Sequence, residues 1–179
     1  MLRLVRRLSQ GAVGMLEASQ DEDQPHQARG QRLFPWWWRT AKVFHVQIRI
    51  AGKTSGAEKN FLKNVSKLLS HQRVSLRVKE FTETSKDPLL VFCPISSSMA
   101  NNIEIALKGL RAGQKAILVL MHYVQRDNTG THVDAMKQVK CADVILTVHT
   151  RYTLQEGFYP CVMNEVAVAD VASALKDLA

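Results

Sequence analysis

What the chain has little of narrows its class first. Glycine and proline number only 9 and 5 in 179 residues, which excludes collagen-like and Pro-rich linker proteins. Cysteine occurs three times, at Cys93, Cys141 and Cys161, without C-x-x-C spacing. An odd, scattered set is neither a disulfide framework nor a zinc pattern, so no metal is expected and a reducing, cytoplasmic setting fits. No apolar run approaches the ~18 residues that cross a bilayer; the longest in the core region, Ala116–Met121, has six. Acid is scarce in one stretch: from Lys42 to Lys79 nine basic residues face a single acid, Glu58. From Phe81 onward the counts are nine basic and ten acidic. What remains is ordinary: 46% hydrophobic and 22% charged residues, as in globular domains, with a net charge of +8.

Residues 1–40 read apart from the rest. Met1–Leu16 carries Arg3, Arg6 and Arg7 and no acid, with Leu2, Val5 and Leu8 at helical spacing. That suits a mitochondrial presequence, the alternative to a cytoplasmic location, or a helix on a membrane surface. Ser19–Arg32 is polar and reads as a disordered linker. Phe34-Pro35-Trp36-Trp37-Trp38 cannot face one core from a helix or strand. It is expected to pack across the edge of the domain or to adhere to a partner.

From residue 41 the periodicities are regular. Val43–Ile50 alternates as a strand. Thr54–Leu69 reads as a helix with Phe61, Leu62, Val65, Leu68 and Leu69 inside, and with Lys59, Lys63 and Lys67 opposite. Ser55 and Glu58 have capping-box spacing. Val74–Phe81 alternates Leu76 and Val78 against Arg77 and Lys79, as expected of a strand at a sheet edge. Leu89–Cys93, Ala116–Met121 and Ala142–Val148 are continuously or largely apolar, as in strands covered on both faces. Helices are expected from Ser98 to Arg111, over Thr131–Val139, and from an Asn164 cap to Leu178. Buried strands alternating with amphipathic helices predict an α/β three-layer sandwich, with five mostly parallel strands in the flavodoxin-like order 2-1-3-4-5. The link Thr82–Pro88 has no room for a crossover helix.

In such a sheet, ligands sit at the carboxyl ends of the strands, where the strand order reverses. That rim would be built from Gly52, Lys53, Thr54 and Ser55, from Ser96, Ser97 and Ser98, and from His122, with His149 on the next strand. Gly52-Lys53-Thr54 has the tail of a phosphate-binding P-loop, but Gln47 stands where its first glycine belongs. Thr54-Ser55-Gly56-Ala57-Glu58 resembles the phosphate turn of flavodoxins, which implies a nucleotide or flavin as the alternative to no cofactor. The stretch Leu89–Leu120, with Ser96-Ser97-Ser98 before a helix bearing Glu104, resembles the strand–loop–helix of nucleoside deoxyribosyltransferase-like and TIR-like proteins. That resemblance implies an N-glycosidase role in which Glu104 acts at C1 of a ribose, although three serines replace the family's Asp-Ser-Gly. The segments Val91–Ser97, Ile103–Leu107 and Ala116–His122 also resemble small vertebrate proteins of unassigned function, which implies the same domain and no chemistry.

Three functions follow as expectations. The first is a non-catalytic interaction module whose basic face (Lys59, Lys63, Lys67, Arg77 and Lys79) meets an acidic protein or other polyanion. The second is a nucleotide-binding protein or N-glycosidase using the rim. The third is attachment to a membrane surface through residues 1–40.

Overall fold

A computed structural model describes residues 41–95, 98–124, 141 and 143–179. The chain divides into two units, Met1–Trp38 and Arg39–Ala179. The basic N-terminal stretch, the polar linker, the Trp run, Ser96, Ser97 and the helix expected over 131–139 lie outside the described residues.

The element order is β1 (Lys42–Ile50), α1 (Ala57–His71), β2 (Val74–Glu80), β3 (Leu89–Ile95), α2 (Met99–Leu107), β4 (Ala116–Tyr123), β5 (Val144–Thr153), β6 (Gly157–Phe158) and α3 (Val162–Leu178). They form one α/β sheet in the order β2-β1-β3-β4-β5-β6. The first five strands are parallel, in the flavodoxin-like order; β6 adds a sixth, antiparallel to β5. Two residues after a turn leave no periodicity to read, which is why sequence reasoning stopped at five.

Each face of the sheet has its own core. On one, Phe61, Val65 and Leu69 of α1 and Val168, Val171 and Leu175 of α3 pack on Val46, Phe92, Val119 and Met121. Phe61 meets the rings of Phe92 and Phe158 edge-on, with centroids 5.7 and 5.5 Å away. On the other face, Ile103 and Ala106 of α2 cover Leu89, Val91, Cys93, Leu118 and Leu120. Alternate residues of β3 and β4 feed the two cores, so both strands are apolar throughout.

The short link from β2 to β3 has a geometric explanation. β1 pairs with β2 over Lys42–Ile48 but with β3 only over Gln47–Ile50. β3 therefore begins at the height where β2 ends, and the chain crosses β1 without a return helix. Gln47, 1% exposed, holds the crossing. Its Oε1 accepts from the Thr82 N–H at 2.7 Å and its Nε2 donates to the Asp87 carbonyl at 3.2 Å.

Several boundaries differ from the expected ones. α1 starts at Ala57, not Thr54, because Ser55 (φ 53°) and Gly56 (φ 81°) form a left-handed turn first. The Ser55–Glu58 capping box is not made; Glu58 accepts from the Thr54 hydroxyl instead. α2 ends at Leu107, short of Arg111, where Gly109 turns at φ 75°. Arg49 donates to the Ala106 and Lys108 carbonyls at that end (3.3 and 2.7 Å) and stacks on Phe81. β5 runs to Thr153, five residues beyond Val148. Asn164 lies inside α3 and is not its cap. Its amide pairs with both backbone groups of Arg151 and donates to the Tyr159 carbonyl.

Candidate functional site

The strand order reverses between β1 and β3, since α1 leads to β2 on one side and α2 to β4 on the other. α1 and α2 therefore lie on opposite faces, and a crevice opens above the carboxyl ends of β1 and β3. It is a cleft of about 480 Å³. Ala51-Gly52-Lys53 after β1 and Pro94-Ile95 of β3 form its floor, Asn102 and Ile105 of α2 one wall, and Tyr123, Tyr152 and Leu154 the other.

Gly52 is fixed by two constraints. Its φ is +141°, and a Cβ there would lie 2.8 Å from Cγ of Pro94. Only glycine lets the first loop close against β3 at this point. The Ala51 N–H donates to the Phe92 carbonyl at 2.8 Å, tying the loop to the neighbouring strand. The Tyr152 hydroxyl donates weakly, at 3.5 Å, to the Lys53 carbonyl. Its ring meets Tyr123 at 5.8 Å, inclined by 62°. Burial, and then the neighbouring Tyr123 hydroxyl, push the Tyr152 pKa up, so it stays a neutral donor. Asn102 donates to the Pro94 carbonyl at 3.1 Å and stiffens the wall. Among the described residues the lining thus draws on Tyr123 and Tyr152, on Ile95, Ile105 and Leu154, and on the polar Asn102 and Lys53.

Of the residues expected at the rim, Gly52 and Lys53 line the cleft. Thr54 is 4% exposed and engaged with Glu58, itself 5% exposed. A carboxylate thus already occupies the first turn of α1, where a phosphate turn would receive its anion. Ser55 faces solvent on its strained turn. Ser98 is exposed at the start of α2 and makes no side-chain cap. Glu104 is exposed, and it is the flanking positions Asn102 and Ile105 of α2 that line the cleft.

His122 is turned elsewhere. Its Nε2 lies 2.9 Å from Nδ1 of His149, with the rings stacked 5.2 Å apart and 9° from parallel. Burial lowers the pKa of both. Repulsion between a proton on His122 and charge on His149 or on the Arg151 guanidinium lowers His122 further, to about 4. Both rings are neutral at pH 7 and share one N–H···N bond. Cys93 is buried, which raises its thiol to about 11 and leaves it inert. Among the described residues no group of three or more His, Cys, Asp or Glu side chains could hold a metal ion.

The five basic residues do not make one face. Val74 and Leu76 of β2 point to the α1 side of the sheet. By alternation Arg77 and Lys79 point to the other side, away from Lys59, Lys63 and Lys67 on the exposed surface of α1.

Sequence reasoning missed Tyr123, Tyr152, Ile105 and Leu154. With β4 and β5 ended at Met121 and Val148, the two tyrosines fell in loops. The alternation Val148, Thr150, Tyr152 was the signal that the strand continues.

No protein-family model, no curated protein and no solved structure matches this chain. Among the described residues no helix is long and apolar enough to cross a membrane.

Proposed function

We propose that the domain is a small-molecule-binding module, and that its ligand is a flat heterocycle with an anionic group, as in nucleotides. The observation that carries this is the cleft between β1 and β3, where, among the described residues, Lys53 stands in an otherwise mostly apolar and aromatic lining. Such sites take a planar apolar body and orient it by a few polar groups. Tyr123, 41% exposed, offers a ring face, Tyr152 backs it from the core, Ile105 and Leu154 offer apolar area, and Lys53 meets the anion. The N-glycosidase reading has less support, because among the described residues no carboxylate lines the cleft. The single basic face of an interaction module is divided between two sides of the sheet.

The test is thermal unfolding of the full chain with adenosine, adenosine monophosphate, flavin mononucleotide and riboflavin. A ligand at a hundred times its dissociation constant adds about 2.7 kcal/mol, a shift of several degrees. Lys53→Ala should remove the shift for the phosphorylated compounds and spare it for the nucleosides. Tyr123→Ala should reduce both. A panel without any shift, on a chain that unfolds cooperatively, overturns the proposal.

A further inference from the structure

We propose that the free edge of β2 receives an extended acidic segment of a partner protein as an added strand. The Lys42 N–H donates to the Arg73 carbonyl and the Phe81 N–H to the Ile48 carbonyl, at 2.9 and 3.0 Å. In a parallel pair this phase commits the backbone groups of Ser75, Arg77 and Lys79 to β1. The N–H and C=O groups of Val74, Leu76, Val78 and Glu80 point the other way. Among the described residues β2 has β1 as its only strand neighbour.

The side chains along this edge specify the occupant. On the side away from α1 stand Arg77 and Lys79, both exposed; on the α1 side stand Leu76, half-buried, and Val78, 41% exposed. Among the described residues the acids that follow this edge in the chain are Glu80, at the end of the strand, the exposed Glu83, and Asp87, 3.6 Å from the Lys79 ammonium. A strand alternating acidic and β-branched residues would set its carboxylates beside Arg77 and Lys79 and its apolar side chains beside Leu76 and Val78. A second copy of this chain is disfavoured, because two such edges would oppose like charges. The cleft between β1 and β3 plays no part in this, so the two proposals fail separately.

The test uses the full chain and a short fluorescent peptide alternating Val and Glu, followed by anisotropy at low salt. Binding should weaken as salt rises. Val78→Pro removes a free-edge N–H and no bond to β1, so the variant should keep its circular dichroism and bind roughly tenfold more weakly, about 1.4 kcal/mol. The same peptide N-methylated at alternate residues, which keeps its charge and loses its donors, should lose as much in one of the two phases. This second measurement decides the matter if Val78→Pro does not fold. Failure of the peptide to bind overturns the proposal. So does salt-sensitive binding that ignores both the proline and the N-methyl groups, or displacement by single-stranded nucleic acid to the same extent in wild type and Val78→Pro; either result makes the edge a plain polyanion surface.

Discussion

The β1–β2 ribbon and the β3–β4–β5 body belong to one sheet but are built by different rules. In the body, Leu89–Cys93 and Ala116–Met121 are buried without a break, between α1 and α3 on one face and α2 on the other. In the ribbon only Val46, Gln47 and Val74 are buried, and α1 covers one face. The stagger of β3 against β1 divides the two. Beyond it β1 and β2 extend past the rest of the sheet, and their outer face carries Val43, His45, Arg77 and Lys79 in solvent. The contrast teaches that strand composition reports local coverage: full coverage gives apolar runs, and half coverage gives alternation with charge on the open side.

That contrast can be broken most severely at Phe61, whose ring ties α1 to the body through Phe92 and Phe158. Phe61→Ala should cost about 3–5 kcal/mol in urea unfolding. If the two regions are one cooperative unit, ribbon and body amides will lose hydrogen-exchange protection together; selective loss in β1 and β2 would show them to be separate. Next comes the seam. Gln47→Leu keeps the volume but leaves the Thr82 N–H without its acceptor, while the Asp87 carbonyl keeps its bond from Gln114 Nε2, for a loss of about 1–2 kcal/mol. A loss below about half of that would mean that water replaces the amide there.

A third test belongs to the body alone. His122 has a depressed pKa in the fold, about 4, against an ordinary value of 6.5. The unfolded chain therefore binds the proton first as pH falls. The stability contributed by keeping His122 neutral is complete above pH 6.5 and is lost toward pH 4, amounting to about 2–3 kcal/mol. His122→Gln should flatten this part of the profile, read as the difference between variant and wild type at pH 7 and pH 4.5. An unchanged slope would show that the ring does not control it. The smallest effect is expected in the ribbon: Lys79→Ala breaks an exposed pair with Asp87 and should cost at most about 0.5 kcal/mol.

The same contrast explains what could be read in advance. The body strands and the α1 stripe announced themselves through long runs and regular spacing, and the edge position of β2 followed from Arg77 and Lys79. The stagger could not be read, because register is set by which strand heights pack together and leaves no periodic mark. Gln47 consequently passed as a failed P-loop position, when its amide in fact holds the crossing chain. The cleft was legible in outline, since Gly52, Lys53 and Pro94 follow from strand ends. Its aromatic wall was not, because Tyr123 and Tyr152 lie beyond the points where apolar character fades. Glu58 misled for a local reason: a helix-start pattern does not reveal that a left-handed turn at Ser55 and Gly56 hands its carboxylate to Thr54.

The hop over β1 has one more consequence, for how this chain can change length. Passing from β2 to β3 spans two strand spacings, roughly 10 Å, and residues 81–88 do it with chain to spare. Thr82 and Asp87 are held by Gln47, whereas Glu83 and Thr84 between them are exposed. A loop anchored at both ends, and tied between them by the long bonds from Arg111 to the Glu83 carbonyl and from the Ser85 N–H to the Thr82 carbonyl (both 3.4 Å), lengthens at little entropic cost. Among the described residues α2 packs on β3 and β4 on that side of the sheet, so a helix inserted there would extend its layer over β1 and β2.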